Sequence, residues 1–269
     1  MDGRLAIIGA GRMGEALLGG LLRVGWAVPE QLHCTVRNPD HARVLAETYG
    51  VRADTDSATA AAGADTVLLA VKPQNLREVL ATIHDKVHTG QVVISVAAGV
   101  PTTRIEEQLP EGVPVVRVMS NTPVQVDEAM SVVAPGTHAR AEHAAVAEEI
   151  LGSVGRVIRL PEEQLDAVTA LSGSGPAYVY LLVESMIDGA ILQGLPRDVA
   201  TELITQTLAG SAKMLRDTGR HPVELREEVT SPGGVTISAI RVLEEAGVRA
   251  ALLNAVEAAR QRGRELAQG

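Results

Sequence analysis

Short runs of aliphatic and β-branched residues punctuate the chain as far as Leu160, at Leu5–Ile8, His33–Val36, Thr66–Val71, Val92–Val96, Val115–Met119, Ser131–Ala134 and Val157–Leu160. Runs such as Thr66-Val67-Leu68-Leu69-Ala70-Val71 do not alternate apolar with polar, so they predict strands covered on both faces. Between the early runs lie segments of helical period, among them Met13–Val24 and Leu76–His84. Strand and helix in regular alternation predict a doubly wound, mostly parallel α/β sheet of the Rossmann kind.

Beyond Leu160-Pro161 the texture changes. The remaining sequence offers long helical patterns, Tyr178–Leu192, Arg197–Leu215 and Val248–Ala267, and no convincing strand. Two domains are therefore expected: a dinucleotide-binding domain over 1–161 and an all-helical domain over 162–269. No Ser/Gly linker, low-complexity tract or repeat separates them, which predicts a rigid junction.

Composition narrows the function classes. At 269 residues, the chain can bury a core in each of two modest domains. Phe is absent, and Trp26, Tyr49, Tyr178 and Tyr180 are the only aromatics. So few stacking platforms, with a net charge of −9, argue against a nucleic-acid partner. The single cysteine, Cys34, excludes an intrachain disulfide and sits in an apolar stretch, as a small core filler would. No run approaches the roughly 18 apolar residues of a membrane span. The N-terminal MDGRLAIIGAG enters a strand at once, without a basic, cleavable leader. A cytoplasmic protein is expected.

The first strand leads straight into Gly9-Ala10-Gly11-Arg12-Met13-Gly14, a G-x-G-x-x-G at the mouth of a helix. Gly9 permits the tight turn, Gly11 lets the backbone approach a pyrophosphate, and Gly14 lets helix and strand pack closely. Amides at the helix start then face the anion. At the end of the second strand, where an acid would meet the ribose of NAD, stand Arg37 and Asn38, which favour NADPH, with NADH possible. The competing reading of Arg37 is a solvated surface charge. Asp40, past Pro39, is expected to cap the following helix. Three further loops fall at strand ends, where ligands of open α/β sheets bind. They are Val71-Lys72-Pro73-Gln74, Ala97-Ala98-Gly99-Val100-Pro101 and Ser120-Asn121-Thr122-Pro123, where Asn121 could donate an amide hydrogen bond.

Two segments of the second half stand out. Leu171-Ser172-Gly173-Ser174-Gly175-Pro176-Ala177-Tyr178 puts Gly and Pro into a helical stretch, at a cost that needs a reason. Val229-Thr230-Ser231-Pro232-Gly233-Gly234-Val235-Thr236 reads either as a capped turn between helices or as a carboxylate-binding helix start with free amides and hydroxyls. Together with GAGRMG, VKPQ, AAGV, MSNTPV and LSGSGPAY in that order, LREEVTSPGGVTISAIRVLEE closely resembles the blocks of pyrroline-5-carboxylate reductases over the whole chain.

That resemblance implies a Rossmann domain followed by a helical domain that interleaves with a partner's into a homodimer, and in many members into a decamer. Carried onto this sequence, it implies a substrate loop from Ser231 through Gly233 to Thr236, in which Ser231 and the amides of Gly234, Val235 and Thr236 hold the substrate carboxylate. Thr236 would hydrogen-bond the ring nitrogen. Cofactor contacts would come from Gly9, Gly11, Arg12, Met13, Gly14, Arg37, Asn38, Ala70, Val71, Lys72, Pro73, Ala98, Gly99 and Asn121. Where some members carry Asn after the third strand to meet the adenine ribose, this chain has Ser57.

The implied reaction is the NAD(P)H-dependent reduction of 1-pyrroline-5-carboxylate, a cyclic imine, to L-proline. An iminium needs orientation and a donor at nitrogen more than a strong acid. The sequence accords, offering no nucleophile triad and no His pair at metal-ligand spacing. The nearest rival is a β-hydroxyacid dehydrogenase-like reductase, for which Lys213 is the one helical lysine available. A non-catalytic NADP(H)-binding sensor is the other, and it would have no use for the SPGGVT segment.

Overall fold

The computed structural model describes residues 3–268. It separates into two compact units, one running to Ser174 and resuming at Ala259, the other Gly175–Ala258.

The first unit opens β1 (Leu5–Ile8), α1 (Arg12–Arg23), β2 (Leu32–Thr35), α2 (Pro39–Tyr49), β3 (Arg52–Asp54), α3 (Ser57–Ala62), β4 (Thr66–Leu69) and α4 (Pro73–Ile83). It continues β5 (Val92–Ser95), α5 (Thr102–Glu106), β6 (Val115–Met119), β7 (Ala129–Pro135), α6 (Ala141–Gly152), β8 (Gly155–Arg159) and α7 (Leu165–Val168). The strands form one sheet in the order β3-β2-β1-β4-β5-β6-β7-β8, all parallel except the β6–β7 pair. Each expected strand is present. β3 is the addition: exposed Arg52 with half-buried Ala53 and Asp54, too short and polar to register as a hydrophobic run.

Parity along the unbroken apolar runs explains why both faces are covered. Ile7, Leu68, Ile94 and Val116 join Leu17, Leu18 and Leu21 of α1 in one buried cluster. Their neighbours Ile8, Leu69, Val93 and Val115 point the other way, onto Leu76, Leu80 and Ile83 of α4. Burying each such side chain stabilises by about 1.5–3 kcal/mol. The sheet therefore sits between two cores, and its faces are closed to ligands.

The second unit carries α8 (Gly175–Leu192), α9 (Arg197–Thr218), α10 (Pro222–Glu228), α11 (Val235–Glu245) and the greater part of α12 (Val248–Gln268). Little of it is buried apart from Ile187 and Ala200. Leu181, Met186, Leu203 and Leu253 are 63, 55, 55 and 67% exposed. Among the described residues, no helix is long and apolar enough to cross a membrane.

Candidate functional site

Strand order reverses between β1 and β4, and the glycine loop lies there. Gly9 has φ +88°, and a side chain on it would run into Val71. Its amide and that of Ala10 both donate to Thr35 O of β2, at 2.9 and 3.0 Å, fixing the turn to the neighbouring strand. Gly14 is buried, and a Cβ on it would stand 2.9 Å from Gly9 O and 3.3 Å from Ile7 Cγ2. A Cβ on Gly11 would meet nothing nearer than 4.0 Å. Gly11 is also the N-cap of α1, so no side chain caps the first-turn amides. These are the turn, packing and approach roles that a dinucleotide loop requires.

The loop forms one wall of a cleft of about 490 Å³. A second wall is the β2–α2 connection with Val36, Arg37, Asn38 and His41, and a third brings Thr55, Asp56 and Ser57. The fourth is Ala70, Val71 and Lys72 with the α4 face of Asn75, Glu78, Val79 and Thr82. Thus Gly9, Gly11, Arg37, Asn38, Ser57, Ala70, Val71 and Lys72 come together as expected lining. Arg37 is exposed and makes no ion pair with any described residue, whereas Arg117 is buried against Glu162 at 3.1 Å. The Ser57 hydroxyl is 2.9 Å from that of buried Thr35, which sets its direction.

Helix capping differs from expectation beside Arg37. Asn38, not Asp40, is the N-cap of α2: its Oδ1 accepts from Asp40 N at 2.9 Å. Pro39 fills the first helical position, so the cap falls on the residue before it. His41, Asn75, Glu78 and Thr82 are lining residues that the motif reading missed. The α4 trio is spaced at helical period from Lys72, which is the signal that could have found it.

Other expected cofactor residues lie outside this cleft. Arg12 lines a separate cavity of about 390 Å³ with Glu15, Arg23 and Tyr49. Met13 packs against the core, and Pro73 opens α4. Ala98 is exposed, and Gly99 has φ +75° in the turn leading to α5. Asn121 is held at both ends of its side chain: Oδ1 accepts from Met130 N at 2.9 Å and Nδ2 donates to Ser172 O at 3.1 Å. That last bond reaches the Gly/Pro-rich segment, where Thr169–Gly173 form a π-helical turn closed by Ser174 N on Thr169 O at 2.9 Å.

In the helical unit, Ser231-Pro232-Gly233-Gly234 is a tight turn into α11. Gly234 N donates to Ser231 O at 3.0 Å, and Gly233 takes φ +68°, the Pro-Gly pattern of a type II turn. A side chain on Gly234 would collide with Ser231. The Gly234 amide, expected to bind the carboxylate, is therefore engaged within the turn, and the donors left in the first turn of the helix are those of Val235, Thr236 and Ile237. No side chain caps α11. The hydroxyls of Thr201, Thr207 and Thr230 each donate to the carbonyl four residues back. That of Thr236, in the first turn, makes no hydrogen bond to any described residue.

Two further residues can be placed. Cys34 is buried, and burial pushes its thiol up to about 12, as suits a core filler. The Lys213 side chain is 67% exposed and pairs with Asp217 one turn on, as a solvated helix charge does. Among the described residues, no group of three or more His, Cys, Asp or Glu could hold a metal ion.

Comparison with known proteins bears on both parts. Residues 162–266 match the family of pyrroline-5-carboxylate reductase dimerisation domains, and residues 4–99 match one described as NADP oxidoreductase, coenzyme F420-dependent. The chain is 45% identical over 263 residues to pyrroline-5-carboxylate reductase of Methanosarcina acetivorans, covering 98% of this chain and 97% of that one. Among solved structures, a pyrroline-5-carboxylate reductase from Coxiella burnetii superposes with a TM-score of 0.92 at 36% identity over 99% of both chains. The Plasmodium falciparum pyrroline carboxylate reductase with NADP bound gives a TM-score of 0.90 at 28% identity, over 99% of this chain and 98% of that one.

Proposed function

The chain belongs to the pyrroline-5-carboxylate reductase family, and from that premise we propose which of its residues carry the reaction. It is an NAD(P)H-dependent oxidoreductase that reduces 1-pyrroline-5-carboxylate to L-proline, the last step of proline biosynthesis. When bound, the cofactor supplies the hydride that reaches the imine carbon.

In this proposal, Gly9, Gly11 and Met13 present backbone to the pyrophosphate, and Gly14 seats α1 against β1 and β4 so that they can. Arg37 and Asn38 meet the 2′-phosphate end, with Ser57 at the ribose. Ala70, Val71, Lys72 and Pro73 line the way toward Ala98 and Gly99. Arg12 and Asn121 act from behind, the latter by holding the π-helical turn. Ser231 and the Val235 and Thr236 amides bind the substrate carboxylate, with Gly233 and Gly234 shaping the turn. Thr236 donates its hydroxyl to the ring nitrogen. Functionally we divide the chain after Pro161, into 1–161 for the dinucleotide and 162–269 for substrate and dimerisation. The proposal includes further assembly into decamers and a cytoplasmic location.

The observation that carries the catalytic assignment is the uncommitted Thr236 hydroxyl at an uncapped helix start. In a pyrroline ring, one carbon separates carboxylate from nitrogen, so a donor beside the carboxylate cradle reaches the nitrogen. Thr236→Ala removes a bond to a group that becomes charged, worth roughly 1.5–3 kcal/mol, or about tenfold to a hundredfold in kcat. NADP+ affinity should hold, and Thr236→Ser should keep most of the activity. A Thr236→Ala enzyme as fast as wild type would leave this loop as a carboxylate cradle alone.

A further inference from the structure

We propose that His41 is a second, proton-dependent ligand for the cofactor's 2′-phosphate, so that preference for the phosphorylated dinucleotide strengthens as pH falls. This rests on the assignment of the Arg37 wall to the 2′-phosphate. His41 lies one helical turn beyond Asn38 and lines the same cleft as Arg37. Its side chain is 37% exposed, and its Nε2 is 3.7 Å from Glu15 Oε2, beyond hydrogen-bond length. The ring makes no hydrogen bond to any described residue, whereas His33 of the same unit is held by Asp54 at 2.8 Å. A ring nitrogen is thus available to a ligand.

The surrounding charges decide what that ligand can be. Facing His41 are Glu15 from α1 and, across the cleft, Asp56 before α3 with Lys72 and Glu78 at α4. Only the β2–α2 wall pairs a permanent cation with an imidazole, which suits a dianion better than a neutral hydroxyl. Histidine is the side chain whose charge changes near neutral pH. An anion at hydrogen-bond distance favours the imidazolium, so the bound state holds more protons. The sign follows: the contribution is present at lower pH and fades as pH rises past the imidazole range. A phosphate monoester, by contrast, loses its second proton near pH 6 and would release protons to cationic ligands, the opposite direction.

The test is calorimetric titration of NADP+ and NAD+ into wild type, His41→Gln and Arg37→Ala at two pH values on either side of the imidazole range. For wild type, NADP+ should bind about tenfold more tightly at the lower pH, the size of one charge-assisted hydrogen bond, while NAD+ stays level. At mildly alkaline pH, NADP+ binding should take up protons, read from its dependence on buffer ionisation enthalpy. His41→Gln should abolish the uptake and the tightening at lower pH, leaving only the opposite dependence of the phosphate itself. Persistence of either in His41→Gln, or a wild-type profile that rises no more steeply toward lower pH than that of His41→Gln, overturns the role of His41 while the Arg37 assignment stands. If Arg37→Ala leaves the NADP+/NAD+ ratio unchanged, the phosphate is bound elsewhere and both assignments fall.

Discussion

A Cβ on Gly14 would stand 3.2 Å from Ala70 Cβ as well as against the Gly9 carbonyl, whereas one on Gly11 would enter open space. Two substitutions of the same chemistry should therefore fail differently. Gly14→Ala overpacks the junction of α1 with β1 and β4 and should cost about 1–3 kcal/mol of stability. Gly11→Ala should leave the melting temperature near wild type and weaken NADP+ binding severalfold or more, because the methyl occupies the space meant for the pyrophosphate. Thermal melts with and without NADP+ separate the two; equal destabilisation by both would contradict the assignment. This much was legible in the spacing of the glycines after a strand. The engagement of the Gly234 amide inside its own turn was not, since a Pro-Gly-Gly sequence does not say which amide closes the turn. Nor was His41, because its significance depends on α4 and on the segment before α3 arriving opposite it.

Elements were legible in proportion to their apolar length. β1, β4 and β5 are four residues each and wholly buried, so composition alone marks them. β3 is Arg-Ala-Asp, held by its parallel register with His33–Thr35, a tertiary pairing with no local signal. The LSGSGPAY segment gave a warning without an answer: Gly and Pro in a helix needed a reason, and the π-helical turn with Asn121 on Ser172 O supplies it. Gly173 is required there because a side chain would run into Met119. Gly173→Ala should cost about 1–3 kcal/mol, and Met119→Ala in the same chain should recover part of it by opening the space. Chemical denaturation of the two single variants and the double variant checks this. Strictly additive losses would show that the two residues do not share the space.

At the scale of the whole molecule, the helical half does not cover its own apolar surface. Its helical patterns carry long apolar faces through Ile187, Ile191, Leu203, Leu208 and Leu252, more than a lone domain of about a hundred residues is expected to cover. Ile187 is instead buried, but Leu203 and Leu252 remain 55 and 39% exposed, with Leu181 and Leu253 beyond 60%. Surface of this extent marks an interface, in keeping with the dimerisation-domain match over 162–266. Sedimentation should find no active monomer, and Leu203→Glu with Leu253→Glu should weaken association; a stable, active monomer would contradict this. The size of the assembly was never legible, because an apolar face does not encode how many copies close around it. The most direct test of the account is turnover by the purified protein. It should oxidise NADPH with 1-pyrroline-5-carboxylate, forming proline in equal amount, more slowly with NADH and not with β-keto acids. Oxidation of NADPH with a β-keto acid but none with the imine would contradict it.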